Sequence, residues 1–142
     1  GLEDQGWVSW MTLCSILNKK INIFGNGKQV RDLLYIDDLI HLFYKIFISK
    51  KKIINNVFNC GGGPSNAISI LQLLKILEKI NNKKLKRSFK IKRKGDQKIF
   101  ISNNKKLKET FGWKPKIGKA KGISLTYKWM HNNLDKLKNC IS

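Results

Sequence analysis

The sequence predicts an α/β fold, and more narrowly one piece of a larger α/β sheet. Two observations carry this. Segments with apolar residues at helical spacing alternate along the chain with short apolar runs of strand length. The strand-length runs are also too few to close a doubly wound sheet by themselves. With 142 residues, the chain is at most one domain and can be part of one.

Each element has its own signal. Trp7, Trp10, Met11, Cys14 and Leu17 form a helical stripe that ends at the polar Asn18-Lys19-Lys20. Ile21–Phe24 alternates apolar and polar as a short strand, and Gly25-Asn26-Gly27-Lys28 is a turn. Residues 33–36 are apolar and read as extended. Asp37 or Asp38 can cap a helix whose apolar face is Leu39, Leu42, Phe43, Ile46 and Phe47, with a basic loop over residues 49–52. Val57-Phe58-Asn59-Cys60 reads as a buried strand, broken by Gly61-Gly62-Gly63-Pro64. Ser69 and Gln72 have capping-box spacing and open a helix carrying Leu71, Leu74, Leu77 and Glu78. Residues 87–91 and 98–102 are two extended segments separated by Arg93-Lys94-Gly95-Asp96. Asn103 can cap a short helix ending at Gly112. After the break at Lys114-Pro115, Ile123, Tyr127, Met130 and Leu134 mark a last amphipathic helix.

Composition narrows the function classes. An apolar share of 42% supports a packed core, and no apolar run reaches membrane-spanning length. The net charge of +20 invites a nucleic-acid reading. Against it, 26 of the 29 basic residues are Lys, whereas base and phosphate recognition favours the planar fork of Arg. The Lys excess accompanies 14 Asn, 19 Ile and only two Ala, the bias of an AT-rich gene, and Lys punctuates every helix instead of forming a stripe. A solvated basic surface is the simpler reading. Cys14, Cys60 and Cys140 show no C-x-x-C spacing and lie far from His41 and His131 in sequence. Neither a metal site nor a disulfide framework is expected, and reduced thiols in a cytoplasmic protein are the default.

Three ordered segments carry the functional information. The first is Ile23-Phe24-Gly25-Asn26-Gly27-Lys28-Gln29-Val30-Arg31-Asp32 with Leu34-Tyr35-Ile36-Asp37-Asp38-Leu39. The second is Val57-Phe58-Asn59-Cys60-Gly61-Gly62-Gly63-Pro64-Ser65-Asn66-Ala67-Ile68-Ser69. The third is Arg93-Lys94-Gly95-Asp96-Gln97, then Asn103, then Phe111-Gly112-Trp113-Lys114-Pro115. Two Arg from separate loops can clamp a pair of neighbouring oxyanions, each bidentately. Of only three Arg, Arg31 and Arg93 fall inside these segments.

In order and spacing the segments resemble the C-terminal region of the extended short-chain dehydrogenases/reductases, the NAD-dependent epimerase/dehydratase family that acts on nucleotide sugars. Glu3-Asp4-Gln5-Gly6-Trp7 and the Gly-Gly-Gly-Pro-Ser-Asn run look most like its CDP-paratose 2-epimerase (CDP-tyvelose epimerase) branch. The resemblance implies that residues 1–142 form the nucleotide-sugar-binding portion of a Rossmann-type fold, a substrate subdomain with a few strands and helices of the sheet domain. It implies that Arg31 and Arg93 hold the diphosphate, that Asp96 hydrogen-bonds the ribose, and that Phe24 lies against the base. It further implies NAD as cofactor, a CDP-sugar as preferred ligand, an oligomeric full enzyme, and oxidation, turnover and re-reduction at one sugar carbon. The pattern is imperfect, with Leu2, Lys94 and Asn103 standing where the family often has Thr, Pro and Asp.

The catalytic half of that family pattern is missing. Gly25-Asn26-Gly27 leads to Val30, and Gly61-x-Gly63 to Asn66, where a dinucleotide fingerprint needs a third Gly. No Tyr has a Lys four residues on: Tyr35 is followed by Leu39, Tyr44 by Ile48 and Tyr127 by His131. The N-terminal NAD-binding region is therefore expected to be absent, with no catalytic residue on this chain and a complementary NAD-binding half as partner. The apolar faces of the first two helices are expected to pack on that absent sheet, which predicts poor solubility for the chain alone. Blander alternatives are a small basic nucleic-acid- or anion-binding module and a gene fragment without function. Singly, Phe24 is more simply a core residue, Arg31-Asp32 a surface ion pair, and Trp7, Trp10, Trp113 and Trp129 core anchors.

Overall fold

The structure, a computed structural model, describes residues 6–49 and 56–138. In chain order the elements are α1 (Trp7–Ile16), β1 (Ile21–Phe24), β2 (Val30–Asp32), α2 (Ile36–Phe47), a 3-10 turn (Pro64–Asn66), β3 (Ala67–Ser69), α3 (Ile70–Asn81), β4 (Arg87–Lys90), β5 (Ile99–Phe100), α4 (Lys105–Phe111), α5 (Lys119–Asn132) and α6 (Leu134–Lys138). The chain divides into two compact units. One comprises Gly1–Gln29, Ser69–Gln97 and Ala120–Ser142, the other Val30–Ile68 and Lys98–Lys119. The mixed α/β architecture is the one expected.

In the first unit β1 and β4 pair in parallel, Ile21 opposite Arg87 and Phe24 opposite Lys90. Ile21 and Ile23 are fully buried, which is the inward face of a period-two strand. α1 packs on both α3 and β1. Ser69 Oγ accepts the Gln72 amide at 3.2 Å and Gln72 Oε1 accepts the Ser69 amide at 2.8 Å, so the capping box forms as read. It starts α3 on Ile70, and Ile70, Leu73, Leu74 and Leu77 then face the core. The predicted stripe of Leu71, Leu74 and Leu77 is thus offset, Leu71 being half-buried. Leu71 has its own task, since it lies where a side chain on Gly27 would be, 2.9 Å from that missing Cβ. The predicted last helix is two: Asn133 donates from its side chain to Trp129 O at 2.9 Å, and Leu134 belongs to α6.

In the second unit the sheet order is β3-β2-β5, with β2 and β5 parallel and Arg31 opposite Phe100. Leu42, Leu107 and Trp113 form its core cluster, against which Leu34, Leu39, Ile46, Phe58, Cys60 and Phe111 pack. Several expectations fail here. The extended segment is Val30–Asp32 and not residues 33–36, and Ile36 already opens α2. Neither Asp37 nor Asp38 caps that helix, whose N-cap is Tyr35. Asp38 is only 3% exposed, and its carboxylate accepts the amides of Lys116 and Ile117. A buried carboxylate needs such donors, and they tie α2 to the chain after α4. Residues 57–60 form no strand. No ladder partner is offered to them among the described residues; Phe58 and Cys60 turn to the core while Val57 is 82% exposed. The cap of α4 is Asn104 and not Asn103, although Asn103 Oδ1 still accepts the Lys105 amide at 2.9 Å. Of the four tryptophans only Trp113 is a core anchor; Trp129 is 58% exposed and Trp7 and Trp10 are half-buried.

The expectation that the first two helices leave apolar faces uncovered fails for α1; on α2 it holds for Phe43 and Phe47, while Leu39, Leu42 and Ile46 of the predicted face pack in the core. In α1, Met11–Ser15 are all buried, while on α2 Ile36, Ile40, Phe43, Tyr44 and Phe47 are exposed. The Glu3-Asp4-Gln5 motif, most of the 49–52 loop and Cys140 lie outside the described residues. Among the described residues no helix is long and apolar enough to cross a membrane.

Candidate functional site

Three of the four residues assigned to substrate meet in the first unit, at the carboxyl ends of its two parallel strands. This is the edge at which open α/β sheets expose loops to ligands. β1 ends at Phe24, and the ladder runs one step further as the Gly25 amide donates to Lys90 O at 2.9 Å. Gly25 then turns the chain with a positive φ of 81°, and the Lys28 amide donates to Asn26 Oδ1 at 3.0 Å. From the neighbouring strand the chain leaves β4 and folds into the turn 93–96, in which the Asp96 amide donates to Arg93 O at 3.3 Å and Gly95 takes a φ of 80°.

The two loops meet through side chains. Arg93 Cζ lies 3.9 Å from the centroid of the Phe24 ring, a cation–π contact on one face of the aromatic. Phe24 is half-buried and absent from the fully buried core, so the simple core reading of it fails. Gln29 Nε2 donates to Phe24 O at 2.8 Å and to Asp96 Oδ2 at 3.2 Å. Gln29 lies inside the first quoted segment and was missed, because nothing in a lone Gln of a turn announces a partner 67 residues away.

Arg31 belongs to the second unit, in β2, where its Nη1 donates to Val30 O at 2.8 Å. Next to it, Asp32 Oδ2 accepts the Gly63 amide at 2.7 Å and the Ser102 amide at 3.2 Å. Asn104 brackets Gly61 from both sides, accepting its amide at 3.1 Å and donating to its carbonyl at 2.7 Å. A Cβ on Gly61 would stand 2.2 Å from Ser102 Oγ, and one on Gly62 would stand 2.0 Å from Leu33 O. These glycines serve close backbone packing, and the Gly63 amide points at a carboxylate. Such a loop does not fit a dinucleotide pyrophosphate, which needs open amides and no adjacent negative charge. Cys60, beside this loop, has its thiol pKa raised, chiefly by burial and then by the charge of Asp32. Among the described residues no group of three His, Cys, Asp or Glu could hold a metal ion.

Comparison with known proteins agrees with this geometry. The family profile described as GDP-mannose 4,6 dehydratase matches residues 10–126. The chain is 37% identical over 131 residues to the CDP-paratose 2-epimerase of Salmonella typhi, covering 89% of this chain and 39% of that protein. The structure of UDP-glucose 4-epimerase from Thermotoga maritima, solved with UDP-glucose, matches with a TM-score of 0.81 at 32% identity, over 91% of this chain and 40% of that one. The UDP-glucuronic acid 4-epimerase of Bacillus cereus, solved with UDP-glucuronic acid and NAD, matches with a TM-score of 0.83 at 28% identity, over 90% and 40%. The chain therefore spans about two fifths of the length of the relatives it matches. With its order of elements, its parallel-strand edge and a profile match over most of its residues, the chain belongs to the GDP-mannose 4,6 dehydratase family, within the NAD-dependent epimerases and dehydratases of the extended short-chain dehydrogenase/reductase fold.

Proposed function

We propose that this chain is the nucleotide-sugar-binding portion of an NAD-dependent sugar-nucleotide epimerase of the CDP-paratose 2-epimerase type, inactive alone and completed by an NAD-binding half. The observation that carries the reading is the cluster at the carboxyl ends of β1 and β4, where the Arg93 guanidinium lies over Phe24 and Asp96 is held beside them. In this reading Arg93 offers a bidentate fork to an oxyanion of the diphosphate. Asp96 accepts a ribose hydroxyl, and Phe24 lies against the base.

The contribution of these residues is orientation. Gripping the nucleotide places the sugar carbon where a cofactor on the partner half can reach it, and binding energy far from the reacting carbon lowers the barrier to epimerisation. The packed Gly61-Gly62-Gly63 loop supports assigning NAD to the partner half and not to this chain. CDP is the favoured nucleotide on the strength of the 37% identity to CDP-paratose 2-epimerase. The completed enzyme is an oligomer of the cytoplasm, where NAD and nucleotide sugars meet.

Calorimetric titration of the 142-residue chain with CDP, UDP and duplex RNA tests the reading. CDP is expected to bind more tightly than UDP, and Arg93→Ala to weaken it by about tenfold or more, the worth of a charge-assisted contact. CDP affinity should change little between low and moderate salt, because only two phosphates are engaged. A basic module that grips RNA through many phosphates would instead lose about a thousandfold over that range. Steep salt dependence with indifference to Arg93→Ala, or epimerase turnover by the chain alone, would overturn the proposal.

A further inference from the structure

We propose that Gln29 is a positioning residue that sets the Asp96 carboxylate for the ribose, and so determines the discrimination of ribonucleotides from nucleotides lacking the ribose hydroxyls. The inference rests on the nucleotide reading given above and adds to it a residue that does not itself touch the ligand.

The geometry makes Gln29 a bridge. Its Nε2 lies 2.8 Å from Phe24 O and 3.2 Å from Asp96 Oδ2, and both partners are acceptors. The amide must therefore present its NH2 end to them, and the two hydrogens of that one group are used together. Phe24 O is the last carbonyl of β1, and Asp96 closes the turn that follows β4. One amide thus bridges the two loops that carry all three ligand groups of this unit. The circuit closes on itself. Phe24 holds Arg93 by its ring, Arg93 O accepts the Asp96 amide, Asp96 Oδ2 accepts from Gln29, and Gln29 returns to Phe24 O.

Asp96 is half-buried in a turn whose Gly95 would meet nothing within 4 Å even if it carried a side chain. Each rotamer of the carboxylate would place its oxygens differently relative to the Phe24 ring, and the Gln29 bond favours one of them. The separation of base and ribose in a nucleotide is fixed by covalent geometry. A site that reads both needs its aromatic and its carboxylate at one separation, and the Gln29 amide supplies that coupling. A charge-assisted bond from Asp96 to a hydroxyl is strong only where the carboxylate is already aimed.

The test is calorimetric titration of the full chain with CDP and with 2′,3′-dideoxy-CDP. The unaltered chain is expected to prefer CDP by about tenfold. Gln29→Leu should bring the two affinities within about twofold of each other while leaving that for the dideoxy compound nearly unchanged. Gln29→Glu keeps the size but replaces the donor with an acceptor facing two acceptors, and should give the same collapse; it serves should the Leu variant not fold. Asp96→Ala should abolish the preference, and adding Gln29→Leu to it should remove nothing more. Retention of the preference in both Gln29 variants would overturn the inference alone. So would a parallel fall in both affinities, which is the mark of a merely structural role. An unaltered chain that binds neither compound, or binds both equally, would remove the ribose reading of Asp96 and this inference with it.

Discussion

At the scale of single residues, the same side-chain types serve opposite ends according to what surrounds them. Asp96 accepts from the side-chain amide of Gln29 beside an aromatic ring and a guanidinium, whereas Asp32 and Asp38 accept from pairs of backbone amides and act as braces. Cys60 records the difference chemically. Burial and the Asp32 charge both disfavour its thiolate, so its pKa stands above the ordinary 9.0. Since the thiolate is the nucleophile, alkylation of Cys60 by iodoacetamide at pH 8 should be slower than that of an unhindered cysteine peptide. Asp32→Asn removes the second of the two causes while keeping an acceptor oxygen for the loop, so the thiolate fraction should rise and alkylation should quicken by several-fold. Mass spectrometry of the Cys60 peptide follows this directly, and a slower reaction in Asp32→Asn would contradict the assignment.

At the scale of elements, caps and glycines decide where structure begins, and they were legible unequally. The Ser69 and Gln72 pair could be read from spacing because a capping box is a local interaction, complete within four residues. Ser69→Ala should cost about 1 kcal/mol in chemical denaturation, with Ser69→Gly costing only a few tenths. A loss well below that for Ser69→Ala would mean that α3 is held by packing of Leu73, Leu74 and Leu77 alone. The start of α2 was misplaced for the converse reason. Asp37 and Asp38 have the composition of a cap, but the carboxylate of Asp38 is claimed by amides some 78 residues on. Residues 57–60 likewise carry a strand signal, but a strand also needs a neighbour, and pairing is not a property of the segment.

At the scale of the whole molecule, the most consequential surface feature is the outer face of α2. Ile36, Ile40, Phe43, Tyr44 and Phe47 are all at least half exposed, and Phe47 is 88% exposed. Their spacing of four, three, one and three is that of one helical stripe, and an exposed apolar stripe of this length is an association surface. Since the chain spans about two fifths of the relatives it matches, the proposed NAD-binding half is the natural cover for it. The double change Phe43→Lys and Phe47→Lys should reduce self-association in analytical ultracentrifugation. It should leave thermal stability within about 0.5 kcal/mol, because the altered side chains are already in solvent. It should also weaken any complementation by the partner half. Unchanged sedimentation would show that another face associates.

What the sequence determined by itself was whatever local chemistry completes within a few residues: the helical stripes, the Gly25-Asn26-Gly27 turn, the capping box, the alternation that marks an α/β chain, and the scarcity of Arg that singled out Arg31 and Arg93. It also carried, through three ordered segments, the family to which the chain belongs. Only the tertiary structure decided which aspartate meets a glutamine and which meets amides, that Phe24 bears a guanidinium instead of filling the core, that the triple glycine is packed shut, and that α2 turns its phenylalanines outward. The reason is one of range. Hydrogen bonds and packing across 30 to 80 residues depend on where the chain returns, and no residue type encodes the identity of a partner that folding brings to it.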